Sequence, residues 1–364
     1  MLKNTYLYTQ KIKVMMRIRY PYALPALLLA VLLVACREDE PKGGIKPIAE
    51  RTVLTIDETG NVYNINGELI TKLPDCEEVT QIITDGDDYF VSGVNSKMKV
   101  GYWKNGKWNT LHVDFIDDVE HWTFGIAKWD YNIYLLDPPN VLKNSGIFRL
   151  EDSEGFNPAR HGISVSEGNC FVVGTHYHEV ASLNFVETPI LYYYHKGSYK
   201  KKVLPLPDGY TNGNATGICA FNANHYLVCG YVGQQAVLWD DNDQVQFLPR
   251  ILDYPIDSES IYPVTMANAV EKLGEHVDVA GAERTEKDVF LATLWTDNVP
   301  QHLVYTNNLE TLARSFVADI QGYYDDMYVV TQEYLTNSES YSVIWMNGKP
   351  IAKIDRLLIS IAVH

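Results

Sequence analysis

The sequence predicts an all-β fold: a seven-bladed β-propeller of four-stranded antiparallel blades, with its ring closed by the C-terminal strand. Three observations carry this expectation. The phrase "YWKNGK" at 102–107 returns as "IWMNGK" at 344–349. Weaker copies of the same pattern fall between and before them, so that the chain reads as one unit repeated. The two ends of the chain each hold a piece of that unit that the other lacks.

The repeated phrase reads as a strand that ends in a hairpin. Asn-Gly favours a tight turn because both central residues accept positive φ. Other copies carry altered turns: "VYNING" from Val62, "IFRLED" from Ile147, "LYYYHKG" from Leu191, "VLWDDND" from Val237 and "ATLWTDN" from Ala292. The aromatic before each turn marks the unit. Tyr63, Trp103, Phe148, Tyr193, Trp239, Trp295 and Trp345 are spaced by 40 to 56 residues, the length of a four-stranded unit. Upstream lies a second pattern, often closed by glycine: "YFVSG" (89–93), "CFVVGT" (170–175), "YLVCGY" (226–231), "VDVAGA" (277–282) and "MYVVTQ" (327–332). Its alternation of β-branched and small residues predicts a strand. Before that comes a third, in "TQIIT", "FGIAK", "HGISV", "TGICA", "MANAV" and "FVADI". Each unit therefore runs strand a, turn, strand b, loop, strand c, Asn-Gly-type turn, strand d.

The first unit opens at "TVLTI" (52–56), a b strand with no a strand before it. The chain ends in "LLISIAVH" (357–364), an a strand with nothing after it. Pairing the two would complete the first blade and remove two sheet edges. Composition agrees, with 25 tyrosines against 11 phenylalanines. Tyrosine suits half-exposed strands, where the ring packs and the hydroxyl stays wet.

The repeats resemble those of bacterial surface lipoproteins with a seven-bladed propeller of unknown function, whose repeats read like "VYVAGY…AVLWKNGK". The resemblance covers about residues 52–364. It implies a fold and no particular activity. The paired glycines of kelch repeats and the Gly-His of WD40 repeats are missing, so their partner habits do not transfer.

Residues 1–36 read as a signal peptide. Lys11, Lys13, Arg17 and Arg19 precede the apolar run "ALPALLLAVLLVA" from Ala23 to Ala35, which is short for a membrane span. The run ends in "LVAC", which resembles a bacterial lipobox and implies lipidation of Cys36. Met15 or Met16 would start a more ordinary leader. Five bases and no acids leave with residues 1–35, which takes the formal charge from −16 to −21. "REDE" (37–40) resembles the signal that sends lipoproteins of some Gram-negative lineages to the outer face of the outer membrane. Residues 37–50 are polar, with Pro and Gly, and read as a flexible acidic tether. Residues 51–364 form the single propeller domain. The expected address is the cell surface, with the membrane as partner through the lipid anchor. The acidic charge, the lack of a basic block and the lack of a phosphate loop exclude a nucleic-acid partner. No cofactor is expected.

The acidic clusters "DGDD" (85–88), "DDND" (240–243) and "YYDD" (323–326) fall in turns, where Asp, Asn and Gly are ordinary. The opposite face, built by d–a and b–c loops, carries residues the repeat does not need. The loop 114–123 holds Asp117, Asp118, Glu120, His121 and Trp122; the next holds Arg160 and His161. "HYHE" follows at His176 to Glu179, and the long loop 250–263 adds Arg250, Asp257, Glu259 and Tyr262. The ligand-binding candidates are His121, Trp122, His161, His176, His178, Tyr210, Asp257 and Glu259. His176 and His178 share a side of a strand, as a metal pair would, but no known zinc spacing is matched and no metal is assigned. Cys219 and Cys229 lie opposite one another if their hairpin turns near residue 224, which makes them a disulfide candidate in an oxidising compartment.

Two functions fit. The first is a non-enzymatic binding or scaffold module for a glycan, peptide or protein partner. The alternative is a glycan-active hydrolase or lyase, which needs two facing carboxylates, or histidines, on the loop face. Asp117, Asp118, Glu120, Asp257 and Glu259 are the available acids, and no motif singles out a pair. The weight falls on binding.

Overall fold

The computed structural model describes residues 51–111, 123–144, 146–150, 152–181, 184–195, 197–253 and 263–364. The signal segment, the tether and Cys36 lie outside the described residues, and so do the candidates His121, Trp122, Asp257 and Glu259. The described residues form strands and turns, with no helix among them.

The first strands are β1 (Val53–Asp57), β2 (Asn61–Asn64) and β3 (Leu69–Lys72). Next come β4 (Cys76–Asp85), β5 (Asp88–Asn95), β6 (Val100–Lys104) and β7 (Lys107–Thr110). A shorter group follows: β8 (Gly125–Trp129), β9 (Asn132–Asp137), β10 (Asn140–Lys143) and β11 (Gly146–Arg149). Three long strands follow, β12 (Phe156–Ser166), β13 (Asn169–Ala181) and β14 (Asn184–His195), with β15 (Ser198–Val203) outside them. Then come β16 (Gly213–Ala220), β17 (Tyr226–Val232), β18 (Gln235–Asp240) and β19 (Val245–Phe247). The next group is β20 (Thr265–Leu273), β21 (His276–Arg284), β22 (Phe290–Thr296) and β23 (Val299–His302). The last is β24 (Leu312–Tyr323), β25 (Asp326–Leu335), β26 (Ser340–Met346) and β27 (Lys349–Ile354), followed by β28 (Leu358–Val363).

Five sheets have four strands each, and a sixth has eight, in the order β15-β14-β13-β12-β16-β17-β18-β19. The eight-stranded sheet is two meanders joined where β12 and β16 run parallel, with His161 opposite Gly217. The sequence predicts separate blades at this place. The junction forms because β12 bulges toward β16, as described below. The C-terminal strand β28 pairs antiparallel with β1, from Val53↔Val363 to Ile56↔Ser360, in the sheet β28-β1-β2-β3. All six residues of β28 are buried.

Turn chemistry follows the repeated phrases. Asn105 and Gly106 take φ of 48° and 77°, and Asn347 and Gly348 take 50° and 73°. Asp297 and Asn298 do the same work at 49° and 66°. The marker aromatics Tyr63, Trp103, Trp239, Trp295 and Trp345 are buried. Two markers shift. In β14 the buried ring is Tyr192, opposite Val172, while Tyr193 faces the other way and is only half-buried. Phe148 sits in the outer strand β11, not in a third strand. This sheet is short, and Leu142 of β10 fills the core position instead.

The strands β4, β12, β16, β20, β24 and β28 each carry a bulge, whereas β8 pairs in unbroken register. Thr80, Thr216, Asn268, Ala318 and Ile359 each stand as an extra residue between two ladder pairs. In β12 the excursion is wider, from Pro158↔Gly174 to Ile163↔Val172. A bulge bends the strand and pushes a carbonyl against its neighbour. This is why glycine recurs in the second strand. A Cβ at Gly93 would meet the Glu78 carbonyl oxygen at 2.1 Å, and one at Gly230 would meet that of Asn214 at 1.9 Å. Gly174 and Gly281 are in the same position. These strands and β8 adjoin in series: β4 touches β8, β8 touches β12, and the series continues through β16, β20 and β24 to β28, which touches β4.

Candidate functional site

The first strands run past one another along a passage, and Arg160 and His161 of β12 reach into it. Both belong to the wide excursion of β12. The excursion needs Gly162, where a Cβ would sit 2.6 Å from the carbonyl oxygens of both Ala159 and Val173. Bulged carbonyls have lost ladder partners and must find others. Arg160 supplies two: Nη2 donates to the carbonyls of Thr80 at 3.3 Å and Ile359 at 3.2 Å. His161 supplies a third, its Nε2 lying 3.1 Å from the Ala318 carbonyl. The carbonyl can only accept, so Nε2 carries the proton. Thr216 Oγ1 donates in the same way to the carbonyl of Ala267, 2.6 Å away.

Asp319 stands beside His161. Its Oδ1 lies 3.4 Å from His161 Nδ1 and accepts from the Ile320 amide at 2.8 Å. Its Oδ2 accepts from the Ser360 hydroxyl, and from the Ile361 amide at 3.1 Å. Burial pushes the His161 pKa down, against the pull of Asp319. Burial also lowers the Arg160 pKa, although Asp319 and Glu78 act to raise it. Arg160 is exposed to water.

His161 lines two cavities. The one toward the d–a and b–c loops has a volume of about 410 Å³. Asn157, Thr175, Asn268, Phe316 and Gln332 line it, with Arg160 and His161. Thr175 is 1% exposed, yet its Oγ1 finds no hydrogen-bond partner among the described residues. The cavity toward the hairpin turns has a volume of about 300 Å³ and is lined by Gln81, Lys128, Cys219, Glu271 and Asp319. Burial and the charge of Asp319 push Glu271 up to about 8, so it is largely protonated at neutral pH. A third cavity of about 650 Å³ flanks Arg160 on its other side, where Glu58, Glu78 and Thr123 line it.

Of the candidates read from sequence, His161 alone among the described ones lines a central cavity. It lies within β12 and not on a loop rim. His176 is buried, because β13 runs on past it to Ala181. Its ring packs 5.8 Å from Phe156, and Nε2 lies 3.4 Å from the Tyr192 hydroxyl. Burial pushes its pKa down, with Lys201 and His178 adding to the effect. His178 does share its side, with ring centroids 5.5 Å apart, and is exposed. Among the described residues no three His, Cys, Asp or Glu side chains come together to hold a metal. Tyr210 packs on Phe247 at 5.6 Å and lies over Gly233, away from the central cavities.

The expected cross-strand disulfide is not formed. Cys219 pairs with Leu227, and Cys229 with Gly217, so the two cysteines sit diagonally; both are free thiols. The hairpin turns one residue earlier than the sequence reading placed it. Burial pushes the Cys229 thiol up to about 12.

Sequence reasoning passed over Arg160, Asn157, Thr175 and Asn268 as site residues. One signal was present. Where other units place Thr, Asn or Ala at the bulge, the fourth unit spells "ARHG", a longer and more charged insertion.

No protein-family model matches the chain, and no curated protein does. Several solved structures are similar at low level. The puromycin-hydrolyzing peptidase of Mycobacterium tuberculosis aligns over 84% of this chain and 53% of its own, at 9% identity and a TM-score of 0.48. The extracellular domain of a hybrid two component system of B. thetaiotaomicron aligns over 79% and 33%, at 10% identity and a TM-score of 0.44. The GH32 β-fructofuranosidase of Bombyx mori aligns over 75% and 63%, at 12% identity and a TM-score of 0.35. The chain thus spans about a third to under two thirds of these proteins. Likeness at this level transfers no activity to it.

Proposed function

We propose that this chain is a lipid-anchored binding module: a seven-bladed β-propeller that holds a polar, glycan-type ligand in the loop-face cavity. The ring reading is supported by the pairing of β28 with β1 and by the unbroken series of contacts among the bulged strands and β8. Anchoring at Cys36 and display on the outer membrane rest on the "LVAC" and "REDE" segments. Replacing Cys36 by Ser should abolish labelling of the protein by a fatty acid; persistent labelling would sink the anchor.

One observation carries the binding reading. Thr175 presents a buried, unpartnered hydroxyl in a cavity whose lining also includes Arg160, His161, the amides of Asn157, Asn268 and Gln332, and the Phe316 ring. A buried polar atom without a partner is disfavoured by about 1–3 kcal/mol, and a ligand hydroxyl would satisfy it. The hydrolase alternative needs a facing carboxylate pair. The described lining of this cavity contains no Asp or Glu. The acids that the sequence offers for that chemistry, Asp117, Asp118, Glu120, Asp257 and Glu259, lie outside the described residues.

A glycan array probed with residues 37–364 tests the reading. Any hit should weaken in Thr175→Val and Asn268→Ala while the melting transition stays in place. A hit indifferent to both substitutions would remove the cavity from consideration, and product release from a bound glycan would favour the hydrolase.

A further inference from the structure

We propose that the ligand of the loop-face cavity carries a carboxylate and that Arg160 reads it, which makes the ligand class an acidic saccharide. This rests on the binding reading above and adds the charge of the ligand to it.

The first observation is the sign of the site. The chain has 46 acids against 30 bases. The described lining of the loop-face cavity nevertheless includes Arg160 and His161 and no carboxylate, while Nη2 of Arg160 reaches Thr80 and Ile359 in the neighbouring cavity, which Glu58 and Glu78 also line. A second guanidinium stands nearby: Arg314 lies 5.6 Å over the ring of Phe316, a lining residue, and 4.5 Å over Tyr334.

The second observation is what Arg160 leaves unused. Only Nη2 donates to described residues, over the rather long distances of 3.2 and 3.3 Å. Nη1 and Nε keep three N–H groups, and no described carboxylate lies within ion-pair distance. Asp319 and Glu78 act on Arg160 from farther away. Asp319 is committed to the Ser360 hydroxyl and two backbone amides. Glu78 faces the neighbouring cavity, where burial pushes its pKa up. A guanidinium that is open to water, with three N–H groups unused and no described carboxylate within ion-pair distance, can take an anion. Its planar fork matches the two oxygens of a carboxylate.

The third observation concerns the rest of the lining. The amides of Asn157 and Asn268 and the hydroxyl of Thr175 suit ligand hydroxyls, and Phe316 offers an apolar face to sugar C–H groups. A carboxylate flanked by hydroxyls on a ring is the chemistry of a uronic or sialic acid.

The experiment is calorimetric titration of residues 37–364 with galacturonate, glucuronate and N-acetylneuraminate oligosaccharides, each beside its methyl ester. The ester keeps every hydroxyl and removes the charge. At least one acid should bind roughly 10- to 100-fold more tightly than its ester. Arg160→Gln should erase that preference, and Arg160→Lys should restore part of it. Because Arg160 also caps two carbonyls, the acid–ester ratio of the unaltered protein stands as a test that needs no variant. Equal binding of acid and ester, weakened in Thr175→Val, would overturn the charge proposal and leave the binding reading intact. Binding indifferent to Thr175 and Asn268 would overturn both. Failure of every acid to bind, while a neutral glycan binds through the cavity, would again overturn the charge proposal alone. Failure of all acids and of the glycan array together would overturn both.

Discussion

Trp239 Nε1 donates a hydrogen bond to the carbonyl oxygen of Pro205, 2.8 Å away, across the boundary between the two meanders of the eight-stranded sheet. The same bond joins Trp103 to Pro74 at 3.0 Å and Trp295 to Pro249 at 2.7 Å. In each case the third strand of one four-stranded unit ties down the chain segment leaving the outer strand of the unit before it. Trp345 has no proline in that place and turns to Thr331 of its own sheet, at 2.8 Å. The marker tryptophans therefore join units as well as fill them.

Trp239→Phe should lower stability by about 1–3 kcal/mol, since it strands a carbonyl and removes ring volume. Trp295→Phe should behave alike. Trp345→Phe should lose less, because the Thr331 hydroxyl has no fixed obligation to that partner. Urea unfolding of the three variants checks the order; equal losses would mean that volume alone decides.

Removal of residues 357–364 should give aggregation in place of a trimmed, stable protein. Leu358, Ile359, Ile361 and Val363 are all buried. Their burial is worth on the order of 5–10 kcal/mol, which rivals the whole stability of a typical domain. The deletion also bares β1, a strand whose ladder is otherwise full. Size-exclusion chromatography of the truncated protein is the check. A monomer with an unchanged melting transition would separate β28 from the closure of the fold.

Strand order and turn position were legible in the sequence because both obey short-range rules. Asn-Gly dictates its own φ angles, and the burial of alternate residues shows in "FVSG" and "LVCG". The central site obeys no such rule. Arg160 and His161 face the passage because β12 bulges widely, and the bulge shows only in the pairing with β13. His176 failed as a loop residue for a related reason: β13 runs far past the usual strand length, which takes the ring into the core. The glycines of the second strands were visible as a pattern. Their cause, a carbonyl from the neighbouring bulge, was not.

His276 and Asp297 clamp one hairpin turn to another on the face opposite the loops, with Nδ1 and Oδ2 2.6 Å apart. The hydrogen bond and the charge of Asp297 raise the His276 pKa, and the same bond lowers that of Asp297. For the histidine, the contribution is fully present below its unfolded value of about 6.5 and is lost as pH rises through the raised folded value. For the aspartate, it is present above about 3.9 and is lost as pH falls through the depressed folded value. The clamp is therefore complete between about pH 4 and 6.5. Both side chains are exposed, so the effect on global stability is small. The direct readout is the His276 titration by NMR, which should move down toward the ordinary value in Asp297→Asn. An unmoved titration would show that the pair does not persist in solution.

Glu271 should set a pH dependence of stability from inside the turn-face cavity. Its carboxyl is held at about 8, first by burial and then by the negative charge of Asp319. Cys219 Sγ lies 3.9 Å from Oε2. Between the ordinary glutamate value of about 4.3 and about 8, the folded chain keeps a proton that the unfolded chain has released. Folding then takes up a proton, so stability falls as pH rises through this window and levels off above it. Glu271→Gln preserves the shape and abolishes the titration. It should change little at pH 4 and gain stability by pH 8.5, on the order of 2–4 kcal/mol if the burial is maintained. Urea midpoints at the two pH values decide the matter. A gain of the same size at both would trace the effect to packing, and a loss at pH 8.5 would mean that the carboxylate is paired with a cation after all.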